Sequence, residues 1–127
     1  MPEGLQHVLV LTDELEATLA FYRDGLGFEL AERPELPFPG HWLRLGGGEP
    51  CLHIAERGPY EAHAATLGLA PAAGPADHAA FGHEDYGELS ARLEAAGIPV
   101  VRNDVPGAFR QLFVTDPNGL RIELNIR

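Results

Sequence analysis

Lysine is missing altogether: the nine basic residues are all arginine, no two of them adjacent, against 19 acidic residues and a formal net charge of −10. Nucleic-acid binding draws on clustered cations that displace counterions from phosphates, so that class of partner is excluded. Cysteine is almost missing too. Cys51 stands alone, which rules out an intrachain disulfide and a CxxC zinc site and fits a reducing compartment. No apolar run approaches the roughly 20 residues that span a bilayer, and Met1 to Gly4 lead into no secretory pattern. A cytoplasmic protein with no membrane partner is therefore expected. The 127 residues, 45% of them hydrophobic, suffice for one compact domain with a moderate core.

That domain repeats itself. His7 and His53 stand 46 positions apart, His78 and Glu123 45 apart, and similar sequence surrounds each pair. In the first half, Gln6-His7-Val8-Leu9-Val10 leads through Thr12-Asp13 to Leu15, Leu19 and Tyr22 and then to Gly25-Leu26-Gly27-Phe28. In the second, Asp77-His78-Ala79-Ala80-Phe81 leads through Glu84-Asp85 to Leu89 and Leu93 and then to Gly97-Ile98. Self-similarity at a fixed period reports architecture first. The spacing predicts a first module over residues 1–57, a connection over 58–76 and a second module over 77–127.

Apolar residues 5–11 predict a strand buried on both faces. Thr12 or Asp13, with Glu16 three residues beyond Asp13, predicts a capping box for a helix running to about Asp24, with Leu15, Leu19, Tyr22 and Leu26 as its buried stripe. Strands are expected at 28–31, 41–45 and 51–55, separated by a proline-rich loop and the Gly46-Gly47-Gly48 turn. The connection is rich in Ala, Gly and Pro, with a short helix possible over 60–67. The second half predicts a strand at 77–82, a helix at 84–96, and strands at 98–102, 109–114 and 120–126, with Asp116-Pro117-Asn118-Gly119 as a tight turn.

The last strand alternates Ile122, Leu124 and Ile126 against Arg121, Glu123 and Asn125, so Glu123 faces away from an apolar surface. Leu52 and Ile54 flank His53 in the same way. A single histidine in an apolar strand is most often a hydrogen-bonded core residue, but four ligand-type side chains at matched places form a duplicated metal site. His7, His53, His78 and Glu123 suit a borderline divalent cation such as Fe, Zn, Ni, Mn or Co and leave positions open for substrate. Glu123 and His53 are the expected acid-base groups. His41, His63 and His83 lack this symmetry. Cys51 shares the strand face of His53, and Trp42, Phe109 and Phe113 are expected to wall the cavity, whose apolar character suits a neutral or aromatic small molecule.

These residues, with Phe21-Tyr22-Arg23-Asp24-Gly25-Leu26-Gly27-Phe28 and Phe113-Val114-Thr115-Asp116-Pro117-Asn118-Gly119-Leu120-Arg121-Ile122-Glu123, resemble the vicinal oxygen chelate superfamily of glyoxalase I, extradiol dioxygenases, methylmalonyl-CoA epimerase, and fosfomycin and bleomycin resistance proteins. The resemblance implies an α+β fold of two βαβββ modules forming a concave, partly closed β-sheet barrel around a metal site. It also implies a homodimer, with the metal site completed either within one chain or across the two, and a divalent ion chelating vicinal oxygens of a small-molecule substrate. Glyoxalase I typically has a carboxylate where this chain has His53, and an Arg and an Asn where it has Leu11 and Arg57, which argues against glutathione recognition. Leu9 and Phe113 replace the Thr and Tyr usual in fosfomycin-modifying relatives. Bleomycin-binding members have generally lost the ligands that this chain keeps. A lyase or isomerase and a ring-cleaving dioxygenase remain, with a noncatalytic, drug-sequestering protein as the alternative.

Overall fold

The computed structural model describes residues 5–71, 78–83, 85–105 and 109–126. The first half runs β1 (Val8–Thr12), α1 (Leu15–Ala20) with a π-helical turn at Phe21–Gly25, β2 (Glu29–Ala31), β3 (Gly40–Arg44), β4 (Pro50–Glu56) and α2 (Arg57–Thr66). The second runs β5 (His78–His83), α3 (Tyr86–Ala95), β6 (Val101–Val105), β7 (Phe109–Thr115) and β8 (Arg121–Ile126). Two mixed four-stranded sheets result, ordered β1-β4-β3-β2 and β5-β8-β7-β6, with β1 parallel to β4 and β5 parallel to β8. This is the expected α+β pair of βαβββ modules, with α2 added to the first, and neither sheet closes on itself.

Alternation decides which face is buried. Leu52 and Ile54 of β4, Leu43 of β3, Leu112 and Val114 of β7, and Ile122, Leu124 and Ile126 of β8 are almost wholly covered. They share one core with Leu19, Tyr22, Leu26, Leu89 and Leu93 from the helical segments. Each helical segment ends in the same way. Gly27 (φ 85°) and Gly97 (φ 68°) take the left-handed conformation, and the following amides turn back, Phe28 N–H to Tyr22 C=O (3.0 Å) and Ile98 N–H to Leu93 C=O (3.0 Å), as in a Schellman cap. That geometry delays the next strand, so β6 starts at Val101 rather than 98.

A buried polar network ties the halves together. Tyr22 donates its hydroxyl to Asp116 Oδ2 (2.9 Å), Asn118 Nδ2 donates to Thr18 Oγ1 (3.0 Å), and Thr18 in turn meets Thr12 Oγ1 (3.0 Å). The expected capping box at α1 is absent for this reason. The Thr12 hydroxyl is committed to Thr18 and accepts the Glu14 N–H (2.8 Å), while the N-cap position falls on Glu14 without a side-chain bond. In α3 the cap is made: Asp85 Oδ1 accepts the Glu88 N–H (2.9 Å).

The first strand is shorter than expected, and Leu5, Gln6 and His7 are exposed. Val8 pairs with Leu52 in a parallel ladder; two residues earlier on β4 stands Pro50, which has no N–H to offer. α2 occupies the first part of the expected connection, beginning at Arg57; residues 72–77 and Glu84 lie outside the described residues.

Gly40 illustrates a close approach of strands. A methyl group there would collide with the Ile54 carbonyl oxygen and lie 3.4 Å from Ala55 Cα. Gly40→Ala is expected to destabilise the fold by about 1–3 kcal/mol through overpacking against backbone. Denaturant unfolding measures it, and an unchanged midpoint would refute the contact.

Candidate functional site

Each sheet turns one face to the helices and leaves the other open. On the open face of the first sheet, His53 of β4 lies opposite Trp42 of β3 in register. The rings are stacked with centroids 4.1 Å apart and 2° between planes. On the other side of His53 lies His7, just ahead of β1, at 4.0 Å and 17°. His53 is therefore sandwiched between an indole and a second imidazole. Burial foremost, then the neighbouring His7 and the Arg33 guanidinium, push its pKa down to about 4. A charged imidazole is disfavoured where water is scarce and cations are near, so His53 is neutral at pH 7 and keeps a ring-nitrogen lone pair.

The open face of the second sheet carries the other pair. Glu123 of β8 lies beside Ala80 of β5 in register, one step along the face from His78. His78 Nε2 and Glu123 Oε1 are 4.0 Å apart. Glu123 is also held from the side. Gln111 Nε2 donates to its Oε1 (3.2 Å) and Asn125 Nδ2 to its Oε2 (3.0 Å), and Asn103 Nδ2 donates to Gln111 Oε1 (2.7 Å). The carboxylate is thus aimed by two neutral carboxamides, with His78 beside it. The sequence does not single out Gln111 or Asn125. The alternation of β8 already puts Asn125 on the Glu123 face, whereas Gln111 needs the β7–β8 register.

The four expected ligands do not gather at one point within the chain: His7 lies by His53, and His78 by Glu123. Among the described residues no group of three or more His, Cys, Asp or Glu side chains converges on one point. The donor types fit a divalent ion, since imidazole nitrogen and carboxylate oxygen are what such ions take. The geometry supplies them as two half-sets within one chain.

Between the edge strands β1 and β5 lies a cavity of about 580 Å³, lined largely by apolar side chains including Leu9, Phe81 and Leu120, with Cys51 and His78 on its wall. Cys51 is half-buried, and burial pushes its thiol pKa up, so it is a packed thiol. The remaining histidines are engaged elsewhere. His41 lies 3.3 Å from Glu16, His83 lies 3.2 Å from Glu88 and accepts the Asp85 N–H, and His63 packs on Phe38. Phe113 shares the Glu123 face by register; the Phe109 side chain lies outside the described residues. Among the described residues no helix is long and apolar enough to cross a membrane.

The chain is 36% identical to glyoxylase I 4 of Arabidopsis thaliana over 126 residues, covering 95% of this chain and 69% of that protein. It is 42% identical over 60 residues to an iron-dependent extradiol dioxygenase of Rhodococcus jostii, covering 40% of this chain and 20% of that one. Among solved structures, a Bacillus anthracis protein assigned to the glyoxalase family superposes with a TM-score of 0.75 at 27% identity, covering 100% of this chain and 97% of that one. With residues 4–124 matching the family as a whole, the chain belongs to the Glyoxalase/Bleomycin resistance protein/Dioxygenase superfamily.

Proposed function

We propose that this protein is a divalent-metal-dependent lyase or isomerase acting on a small, oxygen-chelating organic substrate. It works in the cytoplasm as a homodimer in which His7 and His53 of one copy join His78 and Glu123 of the other. The observation that carries this reading is the matched placement of the two pairs, each at the corresponding place on an open sheet face. Two half-sets that do not meet within a chain are what a symmetric dimer would complete.

When bound, the ion would supply Lewis-acid polarisation of two vicinal oxygens. The rest of the chemistry falls to side chains. Glu123 removes a proton from carbon beside a polarised carbonyl and returns it to the neighbouring carbon, a role worth roughly 10²–10⁴ in rate for a well-placed acid-base group. Gln111 and Asn125 keep the carboxylate in position through that exchange. His53, neutral at pH 7, is a ligand or a second proton carrier, and the apolar cavity beside His78 excludes water from the bulk of the substrate.

The resemblance over 95% of the chain to a protein named as a glyoxylase I favours this chemistry. The shorter resemblance to an iron-dependent extradiol dioxygenase supports ring cleavage as the second reading. Elemental analysis of protein purified without a histidine tag separates them. Near-stoichiometric Ni, Zn, Mn or Co is expected; near-stoichiometric Fe would favour ring cleavage, and no retained metal would leave a noncatalytic, ligand-sequestering protein.

A further inference from the structure

Several arginines of this acidic chain have a carboxylate or an aromatic ring as partner. Arg23, Arg57 and Arg92 each meet a carboxylate at 2.9–3.0 Å, and Arg102 and Arg110 lie over the Tyr86 ring. Arg33 and Arg44 differ. Both are half-buried, and each has an Nε shielded from solvent with no hydrogen-bond partner. Neither makes an ion pair among the described residues, although the chain carries 19 carboxylates. A guanidinium drawn partly out of water without an anion is costly.

Arg33 is nevertheless held in a defined place. Its Nη2 donates to the Phe38 carbonyl (2.7 Å), and its guanidinium carbon lies 5.2 Å from the Phe38 ring centre. The same Nη2 sits 3.1 Å from where a Gly40 Cβ would be. Gly40 is two residues from Trp42 on β3, and Trp42 stacks on His53. Arg44 is two residues beyond Trp42, and the β2–β3 register runs unbroken from Ala31↔Trp42 to Glu29↔Arg44, which puts Arg44 on the same face. Along β3 the Trp42–His53 stack thus has Arg33 near one end and Arg44 at the other, neither paired with a carboxylate among the described residues.

We infer that Arg33, supported by Arg44, selects a substrate that bears a carboxylate next to its chelating oxygens. This rests on the proposal that the open face of the first sheet is a wall of the substrate site, and it narrows the neutral or aromatic molecule expected from the apolar cavity to an organic anion whose apolar part occupies that cavity. The guanidinium has five N–H donors in a planar fork that matches a carboxylate, and one of them is bonded, to Phe38. Its pinning on the Phe38 ring and carbonyl means little ordering is left to do when the anion arrives.

The test uses salicylate and salicylamide, probes of the same size and vicinal oxygens that differ in charge, titrated calorimetrically into the full chain with and without Mn²⁺. Wild type should bind salicylate roughly tenfold to a hundredfold more tightly than salicylamide, the range of a charge-assisted contact. Arg33→Leu should erase the preference, and Arg33→Lys should retain part of it, because the charge stays while the fork is lost. Thermal melting checks that each variant is folded; should Arg33→Leu fail to fold, Arg33→Lys still reads the loss. Equal affinity of the two probes for wild type, or an undiminished preference in either folded variant, would overturn the inference. Protein that holds no Mn²⁺ yet shows an Arg33-dependent preference would sink the metal reading and leave this one standing. Protein that holds Mn²⁺ with no preference would do the reverse.

Discussion

Asp116→Ala should cost about 3–4 kcal/mol of folding stability, the largest loss expected from any single side chain outside the apolar core. Asp116 is 4% exposed. Its Oδ1 accepts the N–H groups of Asn118 (2.8 Å) and Leu120 (2.9 Å), and its Oδ2 accepts the Tyr22 hydroxyl (2.9 Å). Truncation strands three donors at once, one of them on a side chain with no exposure at all. Burial first, then the charge of Asp116 and its hydrogen bond, hold the Tyr22 hydroxyl well above the ordinary tyrosine pKa, so it remains a donor throughout the working pH range. Tyr22→Phe should cost less, about 1–2 kcal/mol, because only one bond is lost. Chemical denaturation of both variants and of the Tyr22→Phe/Asp116→Ala double variant gives the coupling between them. Strictly additive effects would mean that the bond seen across the two halves contributes nothing to holding them together.

The same network shows where sequence reasoning reaches its limit. The Asp-Pro-Asn-Gly run announces a turn because proline and glycine constrain their own backbone, and the turn is where expected: the Asp116 amide bonds the Leu120 carbonyl (2.9 Å). Nothing local says that Asp116 also receives a tyrosine 94 positions away, or that Asn118 reaches Thr18 across 100. For that reason a capping box expected at Thr12 and Asp13 gave way to a hydroxyl committed elsewhere. The strands of the second half were legible because a two-residue period survives one buried face, as Ile122, Leu124 and Ile126 show. The matched places of His7 beside His53 and of His78 beside Glu123 were legible from the repeat, since two copies of one unit put equivalent positions in equivalent surroundings. Arg33 was not. It lies in an aperiodic loop, and what sets it apart is a buried Nε without a hydrogen-bond partner among the described residues, a property of the folded neighbourhood alone.

Metal content should be lost from His7→Ala and from His78→Ala separately and return when the two variants are assembled in one dimer. Both histidines are exposed, so neither truncation opens a cavity in the core, and each variant should melt near wild type. Removing a group that merely orients a ligand commonly lowers metal affinity tenfold to a hundredfold; removing a ligand itself should lower it at least that far. In the proposed dimer each site takes the first half of one copy and the second half of the other. A His7→Ala chain paired with a His78→Ala chain therefore has one site missing both histidines and one site missing neither. Dimers selected by two different non-histidine tags should hold about half the wild-type metal, as the twofold symmetry of the assembly requires. A site completed inside a single chain predicts the opposite, because every chain in the mixture then lacks a ligand and mixing restores nothing. The two histidines belong to separate halves, and among the described residues no three ligand-type side chains converge within one molecule; it is that division which makes rescue in the mixed dimer the expected outcome.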